Sequence, residues 1–370
     1  MAAAPARTFP MLLRAIATAL PMLLVARLAA GGDDAWTTGF PVQATVLSLA
    51  VEPSSSTVYA GTDHGLFHSA DGGKSWLLIQ SLPPASPIWS IAFDTVHGSI
   101  YVGSHGAADV FRSDDGGSTW SAFSFGGGLS AFPKSLGVDP SGSGTVYAGL
   151  QATAGPGPGL VKSVDRGKTW TSKTAGLPLS VGIPTVLSIA VDPTAPATVY
   201  VGLDNFGVYK SVDAGEHWHL AGLQSFFPQI SVEALATVPG SPSTLYAATN
   251  VGIFRSADAA GSWQEMDSGV YSVPVHALAV DPANTDAVFA ATETAGVFRT
   301  TDGAQTWTRW DDGLPSPRVS TLAIDPRGAA VHAGTDTAVF DRNAAAPPER
   351  VLVHPPRRRP MPRVVGFPPQ

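Results

Sequence analysis

Val186-Leu-Ser-Ile-Ala-Val-Asp-Pro193, Thr198-Val-Tyr-Val-Gly202 and Gly207-Val-Tyr-Lys-Ser211-Val-Asp213-Ala-Gly215-Glu-His217-Trp218 follow one another within 33 residues. Each run is short, rich in Val, Ile and Tyr, and closed off by Asp, Pro, Asn or Gly, which is the signature of a strand between turns. With the stretch after Trp218 the phrase holds four strands, the content of one blade of a repeat protein.

The phrase occurs seven times. Its first element lies at Val46–Pro53, Ile88–Asp94, Pro133–Pro140, Val186–Pro193, Val232–Pro239, Val275–Pro282 and Val319–Pro326. Its second lies at Val58–Gly61, Ile100–Gly103, Val146–Gly149, Val199–Gly202, Leu245–Ala248, Val288–Ala291 and Val331–Gly334. Six of the seven units run on to Trp76, Trp120, Trp170, Trp218, Trp263 and Trp307, spaced 44 to 50 residues apart. The expectation is an all-β, seven-bladed β-propeller of four-stranded antiparallel blades over residues 31–343.

The loops ahead of those Trp residues read Ser69-Ala-Asp71-Gly-Gly73, Ser113-Asp-Asp115-Gly-Gly117, Ser163-Val-Asp165-Arg-Gly167, Ser211-Val-Asp213-Ala-Gly215, Ser256-Ala-Asp258-Ala-Ala260 and Thr300-Thr-Asp302-Gly-Ala304. They resemble the Asp-box (BNR) repeat family. That family includes sialidases, xyloglucanase-type glycosidases, sortilin-type receptors and photosystem II assembly factors. A short acid and a hydroxyl can satisfy a tight turn from within, and Gly supplies a left-handed residue. Asp71, Asp115, Asp165, Asp213, Asp258 and Asp302 therefore read as structural. Six like acids spread around a ring do not form one metal or hydrolytic site. Ala260 and Ala304, standing where Gly is wanted, predict altered turns in their boxes.

The seventh unit stops at Val339-Phe340-Asp341-Arg342 with no box. Trp36-Thr-Thr-Gly39-Phe-Pro41 looks like Trp310-Asp-Asp-Gly313-Leu-Pro315. The N-terminal strand, residues 33–38, is therefore expected to close the last blade and remove its free edge.

Composition sets the surroundings. The 370 residues carry a net −7, but the ends are basic. Taking Arg7, Arg14 and Arg27 from one end and five Arg and Glu349 from the other leaves 14 basic and 28 acidic residues in the body. Such a body repels phosphate backbones, so nucleic acid is not expected as a partner. The absence of cysteine excludes disulfides and thiolate chemistry. Arg7, Arg14, an uncharged run from Ala15 to Ala26 and small residues at Ala29 to Gly31 predict a signal peptide over 1–30, with an uncleaved anchor as the alternative. No other stretch is a candidate membrane span, which predicts a periplasmic or secreted monomer. Residues 344–370, rich in Pro and Arg, read as a disordered or polyproline-II-like tail.

Sites are sought where the repeat varies. The second position of the inner strand is Leu47, Trp89, Lys134, Leu187, Glu233, His276 and Ser320. Four of these, Trp89, Lys134, Glu233 and His276, predict a mixed ligand site at the channel mouth. The loops between strands two and three add Asp63, His64, His105, Asp109, Asp204, Asn205, Glu293 and Asp336; those between blades add Phe226, Phe227, Tyr271 and Arg318. The insertion Gln151–Gly159 reads as a flap or spacer. Arg112, Arg255 and Arg299 share one repeat position with Lys162, Lys210 and His68, so they do not form the converging arginine triad a sialidase needs. No nucleotide or hydrolase fingerprint occurs, and no cofactor or metal is expected. The reading is a non-enzymatic binding or assembly-scaffold propeller for a protein or carbohydrate ligand. The alternative is a sialidase- or xyloglucanase-like glycoside hydrolase, or a degenerate relative of one, with Glu233 and Asp204 or Glu293 as the candidate carboxylates.

Overall fold

The computed structural model describes residues 35–83, 86–105, 109–125, 131–152, 159–179, 184–223, 229–270 and 273–346. The expected signal peptide, Phe226, Phe227, Tyr271, most of the tail and the centre of the 151–159 insertion lie outside these residues.

Seven antiparallel sheets, each pairing strands that are neighbours in sequence, succeed one another around a ring. Inner strands pack on the inner strands of the adjoining blades, and the inner strand of blade one, Val46–Val51, packs on that of blade seven, Val319–Ile324. The fold is the β-propeller expected. Second strands such as Val58–Thr62 and Val199–Leu203 are buried at every residue, because a neighbouring blade covers each face. Inner strands, by contrast, keep several half-buried positions.

A hydroxyl and a glycine fit adjacent blades together. Ser48, Ser90, Ser135 and Ser188 each donate to a carbonyl of the next blade's inner strand, at Ile88, Pro133, Val186 and Val232, with distances of 3.0 to 3.1 Å. The residue facing each serine across the ladder is Gly61, Gly103, Gly149 or Gly202. A Cβ at Gly61 would fall 2.6 Å from the Ile88 carbonyl oxygen and collide with the Ser48 hydroxyl. Blades five and six drop both partners together, pairing Ala234 with Ala248 and Ala277 with Ala291.

The last blade has three strands, and residues at the chain's beginning complete it. Thr37 and Asp341 exchange backbone hydrogen bonds of 2.9 and 2.7 Å. The pairing register corrects the sequence match. Thr37 opposes Asp341 as Thr308 opposes Arg299 in blade six, so Trp36 is the counterpart of Trp307, not of Trp310. Two bonds agree. Trp36 Nε1 donates to Trp310 O as Trp307 Nε1 donates to Met266 O. Trp36 N donates to Asp312 O as Trp307 N donates to Ser268 O. The N-terminus thus supplies the tryptophan missing from blade seven.

At the other end Ala344 and Ala346 are buried, and Ala346 O accepts from Trp310 Nε1 and Arg299 Nη1. The packed chain reaches Ala346, three residues into the stretch read as tail.

Candidate functional site

The two faces of the ring are chemically different. On one lie the six boxes. Within the third blade's box, Thr169 N and Ser163 Oγ donate to Asp165 Oδ1, Thr169 Oγ1 donates to Oδ2, and Gly167 N donates to Ser163 Oγ, at 2.6 to 2.9 Å. The same carboxylate bonds recur at Asp71, Asp115, Asp213, Asp258 and Asp302. These donors hold Asp115, Asp165, Asp258 and Asp302 down to a pKa of about 2. The alanine boxes do not differ. Ala260 and Ala304 take φ of 68° and 73°, and their N–H groups still reach the box hydroxyl at 2.9 and 3.1 Å. The turn imposes its left-handed residue on Ala at a cost of roughly 1–2 kcal/mol.

The cations ahead of the boxes also have a place. Arg112, Lys162 and Lys210 each donate to the carbonyl after the next blade's box Asp, at Arg166, Ala214 and Ala259. They are spread around the ring as interblade ties and do not converge.

The opposite face holds the mouth. In every blade the ladder between the first two strands is interrupted by a bulge, and the unpaired residue is the variable one: Leu47, Trp89, Lys134, Leu187, Glu233, His276 and Ser320. A bulge re-aims a side chain out of the pleat, so the fold releases these seven positions from sheet packing. Ser320 is the exception, since its hydroxyl donates to Val46 O at 2.7 Å and ties blade seven to blade one.

Two of the four candidate residues, Lys134 and Trp89, meet directly. Lys134 Nζ lies 4.8 Å from the Trp89 ring centre, and Trp89 packs on Phe132 at 4.9 Å. His105 adds an edge contact to Phe132 at 5.6 Å. Phe132 was invisible to the repeat argument, because it precedes the aligned element; its place before Pro133 at a strand start was the available signal. His276 Nε2 stands 4.0 Å from Glu293 Oε2, and Arg318 stands 4.0 Å from Glu293 Oε1. Trp89, Lys134, Glu233 and His276 are all half-buried, neither lost between blades nor fully in solvent.

Charge couples these groups. Burial pushes the Glu233 carboxyl up, and Asp204 and Glu293 add to this, while His276 and Lys134 oppose it. Burial also lowers the Lys134 ammonium, against the pull of Glu233. Asp204 is fixed by Ser231 Oγ at 2.6 Å. Asp63 accepts from Thr45 N and Asp109 from Phe125 N, so those two acids are engaged in local turns. No group of three or more acid, His or Cys side chains suited to a metal ion occurs among the described residues.

No family model matches this sequence, and no curated protein resembles it in sequence. Solved structures resemble it in fold. The GH74 enzyme of Niastella koreensis is 19% identical with a TM-score of 0.64, over 85% of this chain and 54% of that one. YCF48 bound to D1 peptide is 16% identical with a TM-score of 0.61, over 85% and 96%. The extracellular domain of the one-component system BT4673 from B. thetaiotaomicron is 16% identical with a TM-score of 0.64, over 84% and 40%. This chain spans about half the length of the GH74 enzyme and nearly all of the YCF48 chain. The likeness covers the propeller, and the proteins that share it include an enzyme, a peptide-bound protein and the extracellular domain of a one-component system. Among the described residues no helix is long and apolar enough to cross a membrane.

Proposed function

We propose that this propeller is a non-enzymatic binding or scaffold protein of the periplasm or cell exterior, holding an extended segment of a partner protein across the channel mouth. One observation carries the reading. The fold frees one residue per blade from the pleat; among these Lys134 stacks on Trp89, and Glu233 feels the charges of His276 and Lys134. Side chains that the repeat does not require, gathered where a ligand can reach them, are what a recognition surface consists of. A peptide matches such a mixed surface, with apolar groups for Trp89 and Phe132 and polar groups for Glu233 and His276. YCF48, similar in fold along nearly its whole length, has a solved structure bound to D1 peptide. The six box acids, tied up within their own turns, support a structural role for those loops.

A second reading follows from Glu233. A carboxyl raised chiefly by burial, with two neighbouring acids adding to it, is also the arrangement of a glycosidase pair. The same preparation tests both: a peptide array, a glycan array and hydrolysis of polysaccharides, with wild type, Trp89→Ala and Glu233→Gln. A binding propeller gives a peptide signal that falls at least tenfold in Trp89→Ala, with melting points unchanged and no sugar released. Release of reducing sugar that is abolished by Glu233→Gln establishes the hydrolase instead.

A further inference from the structure

Blade seven breaks the repeat at one pair of positions. In the other six blades an aromatic residue on the second strand faces a basic residue on the third: Tyr59 and His68, Tyr101 and Arg112, Tyr147 and Lys162, Tyr200 and Lys210, Tyr246 and Arg255, Phe289 and Arg299. In blade seven the facing pair is His332 and Asp341. His332 Nδ1 lies 2.5 Å from Asp341 Oδ1, with 1% of the imidazole and 13% of the carboxylate side chain exposed.

Asp341 is also where the ring is joined. Its backbone exchanges both hydrogen bonds with Thr37. Its carboxylate faces the box of blade one so closely that a Cβ at Gly73 would collide with it. In blades two, three and four a basic residue ties the blade to the next box; at the join an acid stands in that place.

Closing the ring therefore buries a carboxylate against an imidazole. The groups facing the pair are Asp71 of the first box, which is negative, and Thr37, which is neutral; Arg342 turns to the other side, onto the Trp310 ring at 4.3 Å. With a neutral imidazole the closed join carries an uncompensated buried negative charge beside Asp71. One added proton makes the pair neutral overall. We infer that ring closure takes up a proton at the His332–Asp341 pair, so that mildly acid solution holds the N-terminal segment on blade seven more tightly than alkaline solution does. The direction of the carboxyl agrees, since burial raises Asp341. A raised folded value gives stability that is lost as pH rises through it; an ordinary solvated histidine in the open ring holds the same proton below about 6.5, so the loss falls above that pH.

Hydrogen exchange of the Thr37 and Asp341 amides in the full chain tests this between pH 5 and 8, after correction for intrinsic rates. In the wild type the opening constant should rise with pH, by up to about tenfold per unit, the slope for one proton. The Arg299 and Thr308 amides of blade six should show no such slope. Asp341→Asn should flatten the response at the join. So should the pair His332→Tyr with Asp341→Arg, which restores the combination used in blade two and covers the case in which the single variant fails to close. A slope retained in either variant, or wild-type protection that increases with pH, overturns the inference.

Discussion

The box aspartate illustrates what a single residue determines. Asp165 accepts three hydrogen bonds, from Ser163 and from both polar groups of Thr169, and these rather than any metal or substrate account for its depressed pKa. Asp165→Ala leaves the Thr169 amide and two hydroxyls without their acceptor. The expected cost is about 1–2 kcal/mol, given how open the loop is to water. The pH dependence has a definite sign. A folded value near 2 against an unfolded value near 4 gives stability present above about pH 4 and lost as pH falls toward 2. Melting curves of wild type and Asp165→Ala should therefore differ at pH 7 and converge near pH 2; a gap that persists unchanged at pH 2 removes the carboxylate from the account. This residue's engagement was legible in the sequence, because hydroxyl, acid and glycine recur at one spacing. The consequence of Ala260 and Ala304 was misjudged there. Propensity argued against alanine at a left-handed position, yet the hydrogen bonds of the turn and the burial of both methyl groups outweigh it.

Between strands, stability depends on pairs of small residues that a single-residue reading passes over. The serine of the inner strand needs the glycine facing it, and the two blades with alanine in its place also have alanine for the glycine, while blade seven sets Thr321 against Gly334. The prediction belongs to the pair. Ala234→Ser alone should destabilise, because the Ala248 methyl occupies the space its hydroxyl would use. Ala234→Ser with Ala248→Gly should recover that loss and add a hydrogen bond to the next inner strand, worth about 1 kcal/mol. A double-mutant cycle by chemical denaturation reads the coupling directly, and additive effects would show that the facing pair is coincidental. The sequence displayed both residues, but not their opposition, since only the ladder register brings position 48 to position 61. Register also defeated the match of Trp36 to Trp310. The similar strings Trp-x-x-Gly-x-Pro occur twice, whereas the backbone pairing of Thr37 with Asp341 selects Trp307 as the counterpart. The bulges are the converse case. Variation at one repeat position marked Trp89, Lys134, Glu233 and His276, and a bulge at each is the physical reason why variation is tolerated there.

At the scale of the whole molecule a ring has a cost that an open array does not, because its two ends must meet. Here they meet on a small contact. Thr37 and Thr38 bond to blade seven, Trp36 packs edge-on against Trp310 at 5.2 Å, and Phe40 packs between Phe67 and Trp76 of blade one. The segment therefore touches both blades at the join, and its aromatic residues are among the buried core. Removing the chain through Phe40 strips blade seven of its tryptophan and fourth strand and uncovers the outer faces of Phe67, Trp76 and Trp310. The exposed strand, Val339–Asn343, then offers unpaired backbone groups to another chain. The truncated protein should melt less cooperatively and self-associate. Trp36→Ala should show the same defect in milder form, at about 3–5 kcal/mol for a buried tryptophan. Trp307→Ala removes the equivalent ring from blade six, where chain continuity holds the outer strand in place. It should cost similar stability yet leave the protein monomeric. Light scattering and calorimetry on the three variants separate the outcomes. If the truncated chain remains monomeric and melts as sharply as the parent, residues 35–40 decorate a ring that closes without them.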